Sequence, residues 1–219
     1  MKRITLLLLI LAAFAYAGTQ TINFDSAVVG SVPAGWTVAM THTGGAPKWE
    51  LRKDETAPSK SNVFAQVSDD KTGGRFPLAI FDQAGFTDGS IAVKFKAISG
   101  VGDQAAGIVW RYNDLNNYYI VRANALEDNV VLYKIADGVR TALAPKGTAG
   151  NTYGVKHRVP KNTWNTLQVT FQGNSFAVFF DGKQIFEVED STFAGAGKVG
   201  LWTKADSVTY FDDFQIETK

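Results

Sequence analysis

The chain has 219 residues, 22 Lys and Arg against 21 Asp and Glu, a formal net charge of +1 and no cysteine. That balance excludes a long-range electrostatic pull on nucleic acid or on an anionic membrane surface. The missing thiols exclude a disulfide framework, so stability must come from a hydrophobic core.

The chain starts with the basic pair Lys2 and Arg3, an apolar run from Ile4 to Phe14, and the small-x-small sequence Ala15-Tyr16-Ala17. This pattern predicts a signal peptide over residues 1–17, with cleavage before Gly18. The apolar run is too short to span a bilayer, so no membrane insertion is expected after cleavage. No cysteine follows for a lipid anchor, and no Asn-x-Ser/Thr sequon is present. A secreted or periplasmic bacterial setting is the expectation. The remaining chain, 18–219, reads as one domain, large enough to bury about 70–75% of its unfolded surface.

Beyond residue 18 the apolar period is two. It predicts strands near 20–25, 35–39, 48–52, 62–68, 76–82, 89–99, 105–112, 117–125, 129–136, 165–172, 175–181, 184–189, 197–204 and 207–217. Many short strands separated by Gly, Asn and Asp turns predict an all-β jelly-roll sandwich of two antiparallel sheets. Asp181-Gly182 marks a type I′ hairpin, because both turn positions tolerate positive φ. The Asn-rich stretch 113–117 marks a second turn. Two stretches break the rhythm, 40–61 and 145–163, each with several Gly and Pro, and they predict long rim loops.

Strand alternation then sorts side chains by face. Val199 and Leu201 read as core, which turns Trp202 and Lys204 outward. Tyr119, Val121 and Ala123 read as core, leaving Tyr118, Arg122 and Asn124 on the other side. Trp110 packs and Arg111 faces out; Val131, Tyr133 and Ile135 pack and Lys134 faces out. The expected ligand surface is therefore Arg111, Tyr118, Arg122, Asn124, Lys134, Trp202 and Lys204. Aromatic rings stack on pyranose faces, and Arg, Asn and Lys hydrogen-bond hydroxyls or a carboxylate. The bland alternative is a solvated sheet face. As an outward residue, Trp202 should be removable without unfolding the protein.

Little in the sequence suggests catalysis. His42 and His157 lie in polar loops with no second ligand at metal spacing, and no Gly-x-Ser-x-Gly elbow occurs. The basic cluster Lys156, His157, Arg158 and Lys161 reads as a solvated loop or as a rim contact for an acidic glycan.

The strings GIVWRYNDLNNYYIVR (107–122), NTWNTLQVTFQGN (162–174), FFDGKQIFEVED (179–190) and AGKVGLWTKADSVTYFDDF (196–214) follow one another in an order that resembles the concanavalin A-like lectin/glucanase superfamily. Within it, the chain is similar to small secreted bacterial jelly-roll domains near the 3-keto-disaccharide hydrolase and laminin G-like groups. The resemblance implies saccharide binding on a concave sheet. It also implies two things to look for in the residues. The first is a pair of catalytic carboxylates. The E-x-D-x-x-E strand of family 16 glycoside hydrolases is approached only by EVED at 187–190, and the acidic strand of the 3-keto-disaccharide group is replaced by NNYYIVRANAL, with no carboxylate before Glu127. The second is a structural calcium ion where first and last strands meet, with Asp25, Asp212 and Asp213 as ligands; ordinary strand-end acids are the other reading.

Three functions follow. An exported carbohydrate-binding, lectin-like protein with a saccharide or polysaccharide partner comes first. A glycoside-processing hydrolase comes second, and needs Asp103, Asp114, Glu127 or Asp128 to reach the groove from loops. A laminin G-like structural or interaction domain comes third.

Overall fold

The computed structural model describes residues 18–148 and 152–219. The predicted signal peptide therefore lies outside the described residues. Sixteen strands occur among them: β1 (Thr19–Ile22), β2 (Trp36–Thr41), β3 (Trp49–Lys53), β4 (Asn62–Gln66), β5 (Phe76–Phe86), β6 (Gly89–Ser99), β7 (Ala105–Asp114), β8 (Asn117–Asn124), β9 (Asn129–Ala136), β10 (Val139–Ala142), β11 (Val155–Lys156), β12 (Asn165–Gln172), β13 (Ser175–Phe180), β14 (Lys183–Glu189), β15 (Gly197–Trp202) and β16 (Val208–Thr218). Two antiparallel sheets form a jelly-roll sandwich. The first has the order β14-β13-β12-β6-β16-β4-β3, with β1 also on β16; the second has the order β10-β9-β8-β7-β15-β5-β2, with β11 on β9. No helix long and apolar enough to cross a membrane occurs among the described residues.

The hairpin expected at Asp181-Gly182 joins β13 and β14, with φ of 46° and 77° at the two turn residues. The same dipeptide at Asp137-Gly138, with φ of 49° and 79°, turns β9 into β10. That strand was not anticipated from the sequence, nor was the two-residue β11 inside the 145–163 stretch.

Residues from both sheets meet in the main core. Ile91, Val93 and Phe95 of β6 face Ile108, Trp110, Tyr119, Val121, Val199 and Leu201 of the second sheet. At one end of this core Trp110 stacks on Tyr119 at 5.4 Å and meets Phe176 edge-on, also at 5.4 Å. A second apolar cluster belongs to the second sheet alone: Phe76, Leu78, Ile80, Val109, Tyr118, Ile120, Val131, Tyr133, Ile135 and Trp202. Since successive strand residues point to opposite faces, these cover the outer face of that sheet. The second sheet is thus buried on both sides, which fits near-continuous apolar runs such as YYIV and NVVLY.

Candidate functional site

Alternation sorts β8 and β15 as expected. Tyr119 pairs with Trp110 and Val121 with Ile108, all in the inter-sheet core, so Tyr118 and Arg122 lie on the outer face; Trp202 joins them. Exposure is where the expectation fails. Tyr118, Arg122 and Trp202 are all 0% exposed. The Tyr118 and Thr41 hydroxyls lie 2.7 Å apart, and the Trp202 ring packs against Phe76 at 5.3 Å. His42 bridges the carbonyls of Gly74 and Gly138 at 2.8 and 2.7 Å, tying loop backbone together beside Phe76. Burial pushes the Tyr118 hydroxyl far above its ordinary pKa. The centre of the outer face is therefore packed, not open.

Two of the seven expected residues belong to the other face. Arg111 sits in a β-bulge of β7 with φ of 47°, which breaks the alternation. Its guanidinium donates to the carbonyls of Phe193 (2.6 Å), Gly173 (2.5 Å) and Thr87 (3.1 and 3.3 Å), and lies 5.5 Å from the Phe176 ring. It is a clasp between the sheets. Lys134 pairs in register with Tyr119, not Tyr118, and donates to Asp190 at 2.9 Å and Thr192 at 2.8 Å. Asp190 also accepts from the Tyr119 hydroxyl at 2.6 Å.

Arg122, Asn124 and Lys204 do come together, at one end of the outer face, around two carboxylates supplied by loops. Asp206 accepts from the backbone N–H groups of Val101, Gly102 and Asp103 at 2.6 to 3.0 Å and so aims Asp103 inward. Asp103, 1% exposed, accepts from Asn124 at 2.6 Å, is bonded to Lys204, and lies 3.8 Å from Arg122. Arg122 donates to Glu127 at 2.8 and 3.2 Å and to Asn129 at 2.8 Å. Burial pushes the Asp103 carboxyl above its ordinary value against the pull of Lys204 and Arg122. Burial would raise Glu127 too, but Arg122 and Asn129 override it and hold that carboxyl at about 2. Of the four acids offered as alternatives for chemistry, Asp103 and Glu127 lie in this cluster. Asp114 instead binds Asn116 and Asn117 within its turn, and Asp128 accepts from the Val159 N–H.

Next to this cluster runs a stripe of rings and guanidinium groups. Arg122 lies 5.8 Å from the rings of Tyr133 and Tyr153, and the Tyr133 hydroxyl donates to that of Tyr153 at 2.6 Å. Arg140 lies 4.7 Å from Tyr133 and 5.0 Å from Phe76. A cleft of about 350 Å³ opens here, lined by Arg140, Thr141, Ala142, Ala144, Thr152 and Tyr153. Tyr153 is 49% exposed, the one aromatic of the stripe available to a ligand. Gly154, with φ of 61°, lets the chain pass close to β9: a Cβ there would stand 2.3 Å from the Val130 carbonyl. Neither Tyr153 nor Arg140 was singled out by strand alternation, because both depend on β10 and on the loop that follows it.

The acids proposed for calcium are held by protein donors. Asp25 accepts from the N–H groups of Ser61 and Asn62 at 3.1 and 3.0 Å, and Asp212 accepts from the N–H and hydroxyl of Ser59 at 2.8 and 2.9 Å. Asp213 pairs with Lys94 at 2.8 Å. These acids pin the 59–62 segment between the first and last parts of the chain, and no group of three metal-ligating side chains occurs among the described residues. The EVED acids lie at the edge of the first sheet, where Lys146 pairs with Glu187 at 3.1 Å and Glu189 at 2.7 Å.

A family model described as a 3-keto-alpha-glucoside-1,2-lyase-like domain matches residues 24–217. Among solved structures, the carbohydrate-binding module CBM66 from Bacillus subtilis is 22% identical, with a TM-score of 0.63 over 84% of this chain and 96% of that one. The cellulose-induced protein Cip1 is 14% identical, with a TM-score of 0.64 over 91% of this chain and 97% of its own. A Bacillus subtilis protein described as having a galectin-like fold is 15% identical, with a TM-score of 0.54 over 84% and 89%. At such identities the likeness is one of fold. A sequence search of curated proteins finds no match.

Proposed function

The chain belongs to the 3-keto-alpha-glucoside-1,2-lyase-like domain family, and from that premise we propose that it is an exported carbohydrate-binding protein whose saccharide site is the cleft between β10 and Tyr153. The observation that carries this reading is the half-exposed Tyr153 ring, braced by Tyr133 and the buried Arg122 guanidinium and lining the same cleft as Arg140. A sugar site needs a fixed aromatic platform with hydrogen-bond donors at its margin. The fold likeness to a carbohydrate-binding module supports it. Arg122, Asn124 and Lys204 act from behind, by holding Asp103 and Glu127.

Titration of the protein against an array-selected saccharide tests the site. Tyr153→Ala should weaken binding about tenfold, the loss of one exposed stacking ring, and leave the melting temperature nearly unchanged. Equal binding by the variant would place the site elsewhere. Glycoside processing is the second reading, favoured by one observation: Glu127 is partly exposed at the edge of the cluster and held ionised. Release of reducing ends from the bound saccharide, abolished by Glu127→Gln, would establish it. No binding to any glycan would leave a structural or interaction domain.

Export rests on the basic, apolar and small-x-small order of residues 1–17. Intact mass of the secreted protein should correspond to a chain beginning at Gly18; a chain retaining Met1 would overturn this.

A further inference from the structure

We propose that the cleft selects carboxylated sugars, with Arg140 as the receptor for a uronate carboxylate. This rests on the reading of the cleft as a saccharide site and adds the ligand's charge to it. The argument starts from how the cations around the outer face are used. Arg122 is bonded to Glu127 and Asn129, and Lys204 to Asp103. Lys156 donates to the Glu127 carbonyl at 3.2 Å. Arg75, fully buried, donates to the carbonyls of Gly45, Ala46 and Ala205 and to the Ser68 hydroxyl. Arg140 differs from all of these: its guanidinium makes neither an ion pair nor a hydrogen bond among the described residues, and its Nη1 is sealed from solvent.

A guanidinium carries five N–H donors; with Nη1 sealed off, those on Nε and Nη2, which bond to none of the described residues, are the ones left for a ligand in the cleft that Arg140 lines. The ion pairs beside the stripe engage Arg122 and Lys204 with Asp103 and Glu127, and none of them involves Arg140. The rings of Tyr133 and Phe76, at 4.7 and 5.0 Å, hold the guanidinium in place by cation–π contact. A guanidinium fixed in this way matches the flat, two-oxygen edge of a carboxylate, which accepts two parallel N–H bonds. Tyr153, on the other wall, offers a face to the pyranose ring that bears the carboxylate. A neutral hexose would use Tyr153 equally well and leave the Arg140 charge unanswered.

The test uses the protein from Gly18 onward, a glycan array carrying glucuronate- and galacturonate-bearing chains beside their neutral glucose and galactose counterparts, and calorimetry on the best binders. Uronate chains should be preferred, and raising sodium chloride from about 0.05 to 0.5 M should weaken them while sparing neutral chains. Arg140→Gln should weaken uronate binding by about 10- to 100-fold, the range for a hydrogen bond to a charged group. Arg140→Lys, which keeps the charge without the fork, should fall between, and melting curves of both variants show whether the fold is kept. If neutral chains bind as tightly as uronates and Tyr153→Ala weakens both, the cleft is a saccharide site and the charge preference is wrong. If uronates bind but neither Arg140 variant changes their affinity, Arg140 is not the receptor. If no chain of either kind binds, the saccharide reading falls together with this one.

Discussion

Trp202→Ala is expected to lower the free energy of unfolding by about 3–5 kcal/mol, the range for truncating a fully buried aromatic. Trp202 lies on β15, between β7 and β5, and is 0% exposed. Its ring packs against Phe76, and a Cβ on Gly107 would already stand 3.2 Å from it. The neighbours are strands of a sheet buried on both sides, so they cannot collapse into the space left behind. Urea denaturation measures this, as a shift of midpoint at unchanged slope. A loss below about 1 kcal/mol would mean that Trp202 is a surface residue, as alternation read alone suggests.

The difference between that reading and the structure shows what the sequence carries. Period-two alternation separates Val199 and Leu201 from Trp202, and Tyr119 and Val121 from Tyr118, because successive side chains in these strands fall into different apolar clusters. It cannot say whether the second face meets solvent. The composition of that face can: Ile120, Val109, Val131 and Leu78 share it with Trp202, and an apolar set of that size needs a cover. Alternation fails outright at Arg111, where a left-handed residue in a bulge turns the side chain to the opposite face. It fails at Lys134 for another reason. The frame within β9 is right, but which face it presents depends on its register with β8, and that pairs Lys134 with Tyr119.

The cleft was legible only in part. Asp137-Gly138 carries the same hairpin signal as Asp181-Gly182, and reading it would have found β10 and with it Arg140. Tyr153 gives no such signal. Its position comes from a loop held near β9 by Gly154 and by the hydroxyl pair with Tyr133, and such contacts between distant parts of the chain have no periodic trace. Asp103 is in the same class, since Asp206, over a hundred residues later, aims it through three backbone N–H groups.

Arg122→Ala should cost a comparable amount, about 3–5 kcal/mol, because it removes one member of a buried charge cluster and leaves the others uncompensated. Asp103, 1% exposed, would keep Lys204 as its one cation beside the Asn124 amide, and Glu127 would lose both of its guanidinium bonds. The pH dependence separates this from simple loss of packing. Glu127 is held at about 2 in the folded protein against an ordinary 4.5, so its contribution is present above pH 4.5 and is lost as pH falls toward 2. Asp103 has the opposite sign: burial raises its carboxyl above 3.8, so it favours the folded state at low pH and opposes it as pH rises through the folded value. Taking away Arg122 weakens the first effect and strengthens the second, and both changes cost stability at neutral pH. Below pH 4.5 the unfolded chain protonates Glu127, so the stability that the guanidinium contributes through this carboxylate shrinks before the folded group itself titrates. The gap between parent and variant, measured by urea denaturation at pH 7 and again near pH 3, should therefore narrow on acidification. A gap of the same size at both values would reduce Arg122 to the bulk it packs against Tyr133 and Tyr153, and the cluster behind the cleft would have no electrostatic role.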